Sequence, residues 1–198
     1  MVRHILGGLV VALIALIGAA YLFPRIVHVE RTIVIDRPAA SVYPYINSLR
    51  RASEWSPWVE YDPNVKMSYS GYEQGVGAKM SWAGNKKVGT GSQQITQSIL
   101  NRKVASELQF GEQGPAKSAL TLTTTEHGTK VVWSLDVDLG NSPIARYAGL
   151  SLDAQVGADY DRGLAKLKAL VERAPEPPAG SADQPASAPS TSPNAPTS

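Results

Sequence analysis

The chain has 198 residues, enough for one domain with appendages. Lys and Arg number 19 against 17 Asp and Glu, and the adjacent basic pairs Arg50-Arg51, Lys86-Lys87 and Arg102-Lys103 fall on turns or helix ends. No nucleic-acid-binding face is expected from so even a balance. There is no cysteine, which excludes disulfides and thiolate metal sites.

The first element is apolar. Residues 5–23 carry no charge, and about twenty such residues suffice to cross a hydrocarbon core. Residues 1–24 are therefore expected to be a single-pass N-terminal membrane anchor, with the membrane as a partner through residues 5–23. The alternative is a cleavable signal segment, with Arg3 and His4 as its basic start and Gly18-Ala19-Ala20 as its small-residue site. Either way the following domain is expected to be extracytoplasmic, in the periplasm. Residues 25–29 read as a connector, 30–173 as the folded domain, and 174–198 as a disordered Pro/Ala/Ser-rich tail without aromatic or branched apolar residues.

Within the domain, period-two alternation dominates. Thr32-Ile33-Val34-Ile35 is a first strand, and Pro38 opens a helix that continues through Ser41–Ser48, where Pro44 must shorten or distort it. Leu49–Trp55 adds one or two further helical turns. Six strands follow. Their inward sets are Val65, Met67 and Tyr69; Ala78, Met80 and Trp82; Ile95 and Ile99; Val104, Ser106, Leu108 and Phe110; Leu120 and Leu122; and Val131, Trp133, Leu135 and Val137. The turn residues between them are short, so the strands are expected to be sequential antiparallel neighbours. From about Ile144 to Arg173, Leu152, Val156, Tyr160, Leu164, Leu167 and Val171 recur at helical spacing and form a covering face. Gly157 and Gly163 within it serve close helix–sheet approach or space for a ligand, or are simply tolerated in the helix.

This order, with Ile35-Asp36-Arg37-Pro38-Ala39, Trp55-Ser56-Pro57-Trp58, Tyr69-Ser70-Gly71, Gly75-Val76-Gly77-Ala78 and Gly128-Thr129-Lys130-Val131, resembles the START-like (SRPBCC) superfamily. The similarity is greatest to its polyketide cyclase/dehydrase-type branch. The resemblance implies an α+β helix-grip fold, a seven-stranded curved antiparallel sheet around a long C-terminal helix, with a cavity between them. It also implies an apolar ligand or lipid as partner, since members bind sterols, lipids, quinones and polyketides.

Catalytic constellations are sparse. His4 and His28 precede the domain core, His127 sits in a turn, and no metal-ligand spacing is present. No catalytic residue, metal or cofactor is expected, and a protein partner is unknown. If there is enzymatic use, Tyr69, Tyr147, Asp153 and Tyr160 are its candidates. The binding reading draws on the inward face: Trp58, Met67, Tyr69, Met80, Trp82, Leu108, Phe110, Leu122, Trp133, Leu135, Val156, Tyr160 and Leu164 are the candidate cavity-lining residues. Alternation gives their direction. It leaves open whether they enclose space or pack solidly. The expected function is a membrane-tethered protein binding an apolar small molecule or lipid; the alternatives are a cyclase/dehydratase-like enzyme and an interaction module with a packed core.

Overall fold

The computed structural model describes residues 2–111 and 115–175, with side chains from His4 onward. Most of the tail expected to be disordered, 176–198, lies outside the described residues. Seven strands form one sheet: β1 (Ile26–Ile35), β2 (Lys66–Ser70), β3 (Lys79–Ala83), β4 (Thr90–Ile99), β5 (Lys103–Gln109), β6 (Pro115–Thr125) and β7 (Gly128–Asp138). Their order is β1-β7-β6-β5-β4-β3-β2, and every neighbouring pair is antiparallel. Strands β2 to β7 are a meander. β1 closes onto β7, with Ile26 opposite Asp138 and Ile35 opposite Thr129. Between β1 and β2 run α2 (Ala39–Ile46), α3 (Leu49–Trp55) and a 3-10 turn at Pro57–Glu60. α2 ends two residues after Pro44, whose missing N–H removes a helix bond. Ser48 caps α3 by accepting from the Arg51 backbone N–H.

The chain ends in α4 (Pro143–Gly149) and α5 (Leu152–Arg173). A single helix was expected from about Ile144; it is broken at Leu150-Ser151. Gly149 meets Leu139 and Val27 so closely that a Cβ would collide, which fixes α4 as a separate element against the sheet end. α5 crosses the concave face of the sheet. Tyr160, Leu164, Leu167 and Val171 are buried against Val29, Ile35, Val131 and Trp133 in one core. Each large apolar side chain so buried contributes about 1.5–3 kcal/mol before entropic costs. This is the α+β helix-grip architecture.

The two helix glycines have a packing reason. A Cβ on Gly163 would lie 2.9 Å from the Trp133 ring and 3.2 Å from Pro57 Cδ, and one on Gly157 would strike the Arg31 guanidinium. Close approach, not ligand space, is what Gly163 needs; at Gly157 the neighbour is the movable end of Arg31. Ile99 also departs from expectation. Ile95 is fully buried but Ile99 is exposed, because a bulge between Ile95 and Gln97 shifts the register and turns the later residues outward. Residues 26–29, read as connector, are the opening of β1.

The membrane assignment is corrected. Among the described residues no helix is long and apolar enough to cross a membrane. The first helix, α1, runs Val2–Ala20. The single-pass anchor over 5–23, and the membrane partner and membrane-anchored localisation that went with it, fall with this finding. The end of α1 is tied to α4 instead. Ala20 is fully buried, the Tyr147 hydroxyl donates to Leu16 O at 2.8 Å, and Arg146 donates to Phe23 O at 3.1 Å.

Candidate functional site

A cavity of about 760 Å³ lies between the sheet and the first half of α5. Its floor comes from β2 to β7. Its roof is α3, the 3-10 turn and the opening turns of α5. Ten of the thirteen candidate residues line it: Trp58, Met67, Met80, Trp82, Leu108, Phe110, Trp133, Leu135, Val156 and Tyr160. Met67, Met80, Trp82, Leu108 and Phe110 point inward yet are only half-buried, since they border space and not other side chains.

The other three lie off the cavity wall. Leu122 and Leu164 are in solid core, 5% and 1% exposed. They sit toward the end of the grip that Val131, Leu167 and Val171 fill. Tyr69 sits beside α3, where its hydroxyl donates to Ser53 Oγ at 3.3 Å and its ring lies under the Arg50 guanidinium. Alternation gave these three the right direction but not their depth along the grip.

An aromatic cluster forms one wall. Trp133 and Tyr160 stack with centroids 3.6 Å apart and planes within 8°. Trp58 meets both edge-on, and Trp55 meets Trp133 edge-on at 5.1 Å. The edge-on contacts are the geometry that ring quadrupoles favour. Trp55 is 2% exposed, and its indole N–H donates to Tyr45 O at 3.2 Å, so it fixes α2 and α3 as well as lining the cavity. The Trp133 N–H donates to Ser118 Oγ at 3.0 Å, and Ser118 in turn donates to Ser134 O. Burial pushes the Tyr160 phenol far above the ordinary tyrosine range, opposed by a hydrogen bond with Ser118. At the opposite end Trp82 meets Phe110 edge-on at 5.8 Å, and Gly91 is the residue whose missing Cβ leaves room for the Trp82 indole.

The wall residues open to solvent are Lys86, Lys87, Thr90, Gly111 and Gln155, so the mouth lies at the β3–β4 hairpin and the start of α5. The hairpin is rigidly built. Asn85 Oδ1 accepts from the Lys87 and Val88 backbone N–H groups, and the Asn85 N–H donates to Asp62 Oδ2 at 2.7 Å. Asn85 Nδ2 donates to Tyr61 O at 2.9 Å. The Tyr61 hydroxyl donates to Asp159 Oδ1 at 2.6 Å, which raises its pKa, and Arg162 bonds both groups. The hairpin is thus linked through Tyr61 to α5.

Of the candidates for acid–base work, only Tyr160 faces the cavity. Asp153 is exposed and paired with Arg31 at 3.0 Å, while Tyr147 is engaged with α1. No His, Asp or Glu lines the cavity among the described residues. Nor do three His, Cys, Asp or Glu side chains among them come together to hold a metal ion. Sequence reading passed over Ser118, Gln93, Gln155, Lys86 and Lys87, and placed Leu152 on the covering face of the helix without naming it as cavity wall. The serine and glutamines carry no periodic apolar signal, and the lysines read as an ordinary solvated turn.

The family model described as polyketide cyclase / dehydrase and lipid transport matches residues 27–172. The chain belongs to that family. No curated protein matches it. Among solved structures it is similar to the di-domain ARO/CYC StfQ from the steffimycin biosynthetic pathway, at 15% identity and TM-score 0.56. That likeness covers 74% of this chain and 51% of the other, so the chain spans about half of StfQ. The Aha1 dimer from Colwellia psychrerythraea is similar at 18% identity and TM-score 0.54, covering 74% of this chain and 97% of the other. A protein from Chromobacterium violaceum is similar at 15% identity and TM-score 0.51, with 74% and 98% covered. At these identities the likeness establishes the shared fold of this family member and the three structures.

Proposed function

We propose that this family member holds an apolar small molecule or single lipid in the cavity between the sheet and α5. The observation that carries the reading is the cavity itself: about 760 Å³, walled by aromatic and aliphatic side chains with a few polar groups among them. That volume falls within the roughly 300–1,000 Å³ of small-molecule sites. Met67 and Met80 suit it, since flexible thioethers adapt to varied ligand shapes. The test is a thermal-shift series on the purified chain with lipids, quinones and isoprenoids. A ligand at 100 times its Kd stabilises the folded state by about 2.7 kcal/mol. A concentration-dependent rise in Tm with at least one class supports the reading, and none with any class refutes it.

The neutral phenol of Tyr160 favours a second reading, catalysis on a bound polyketide-like chain. A phenol held neutral by burial is a weak acid, but its O–H can offer a hydrogen bond to an oxyanion developing on a bound chain. Product formation that Tyr160→Phe abolishes while leaving ligand binding intact would establish it; turnover unaffected by that change would dismiss it.

A further inference from the structure

The cavity wall is mostly apolar, with Ser106, Ser118 and Gln93 among its few polar groups, and among the described residues its mouth has one sign of charge. Lys86 and Lys87 are the only charged residues in its wall among the described residues. Neither ammonium is in an ion pair there. Among the described residues, the acidic groups on neighbouring elements are engaged elsewhere. Asp62 accepts from the Asn64 and Asn85 backbone N–H groups, Asp159 bonds Tyr61 and Arg162, and Glu60 pairs with Lys166. Lys87 rests its ammonium 3.6 Å from the centre of the Tyr61 ring, a cation–π contact, and has no counter-ion among the described residues. The hairpin that carries both lysines is held by the Asn85 turn and by Asp62, so its backbone, and with it the lysine stems, is fixed at the mouth.

From this asymmetry we infer that the ligand is an amphipath: an apolar body inside the cavity and a single anionic head at the mouth, against Lys86 and Lys87. The inference rests on the cavity-binding reading and adds the ligand's charge and orientation. A neutral apolar molecule gains nothing from the two cations. An anion gains their attraction in a mouth bordered by low-dielectric walls, where a charge pair is worth more than in bulk water.

The experiment compares two probes with the same body, 1-pyrenebutyric acid and 1-pyrenebutanol, on the full chain. Binding is read as energy transfer from the cavity tryptophans Trp58, Trp82 and Trp133 to the pyrene. The acid is expected to bind about fivefold or more tighter than the alcohol at low salt, with the gap closing as salt is added. The double variant Lys86→Glu, Lys87→Glu, checked for an unchanged Tm, is expected to lose the preference for the acid while binding the alcohol as before. Equal binding of acid and alcohol, or an acid affinity unmoved by charge reversal, overturns the anionic head and leaves the cavity reading standing. Failure of both probes to bind overturns the cavity reading, and this inference with it.

Discussion

Single residues set the electrostatics of the sheet end from which α4 departs. Asp138, at the end of β7, accepts both donors of the Arg25 fork at 2.7 and 2.8 Å. The Gly140 backbone N–H adds a third bond at 2.8 Å. The Arg25 hydrogen bond first, and that backbone bond second, pull the Asp138 carboxyl from 3.8 to about 2. A carboxyl lowered on folding stabilises the fold above its unfolded pKa and loses that contribution as pH falls through the folded value. The window is therefore from about pH 4 down to about 2. Asp138→Asn is expected to melt below the wild type near neutral pH, with the gap narrowing across that window; a gap independent of pH would contradict the pairing. The effect will be small, since both side chains meet solvent. Asp136 and Asp138 were legible as outward residues of an alternating strand. Their partners His28, in β1, and Arg25, just before it, were not, because both are brought there only by the β1–β7 closure.

At the scale of elements, α5 shows what periodicity can and cannot convey. Its apolar face was legible from Val156, Tyr160, Leu164, Leu167 and Val171 at helical spacing. The break before it was not, because the crowding of Gly149 by Leu139 and Val27 is tertiary. The role of Gly163 was likewise left open, and its distance from Trp133 and Pro57 decides for close packing. Gly163→Ala would gain up to about 1 kcal/mol of helix propensity. It would also press a methyl group into the Trp133 ring, and overpacking of a tight core costs about 1–3 kcal/mol. The net expectation is destabilisation in a urea titration; a stabilised variant would mean that α5 can lift from the sheet at no cost. The bulge at Ile95/Gln97 makes the same point for a strand: the alternation of Ile95 and Ile99 is real in the chain, but one unpaired residue between them reverses its meaning. α1 was legible as a helix, and its docking on α4 through Tyr21, Arg146 and Tyr147 was invisible without the fold.

For the whole molecule, the main question left by the sequence was whether the inward side chains enclose space. Direction follows from period two, but free volume depends on how far apart sheet and helix stand. The grip is solid where Leu164, Leu167 and Val171 meet β1 and the inward end of β7, and hollow where α5 begins. Met80 offers a direct probe of the hollow part. If the space exists, Met80→Trp fills it, leaves unfolding free energy within about 1 kcal/mol of wild type, and weakens ligand binding. In a packed core the same change would cost about 1–3 kcal/mol.

The most direct measurement is native mass spectrometry of the purified full chain, with solvent extraction of whatever it carries. The account predicts a retained or readily added apolar molecule at one per chain, released on denaturation and reduced by Met80→Trp. A clean apo mass, unshifted by any lipid, quinone, isoprenoid or pyrene probe, would contradict it.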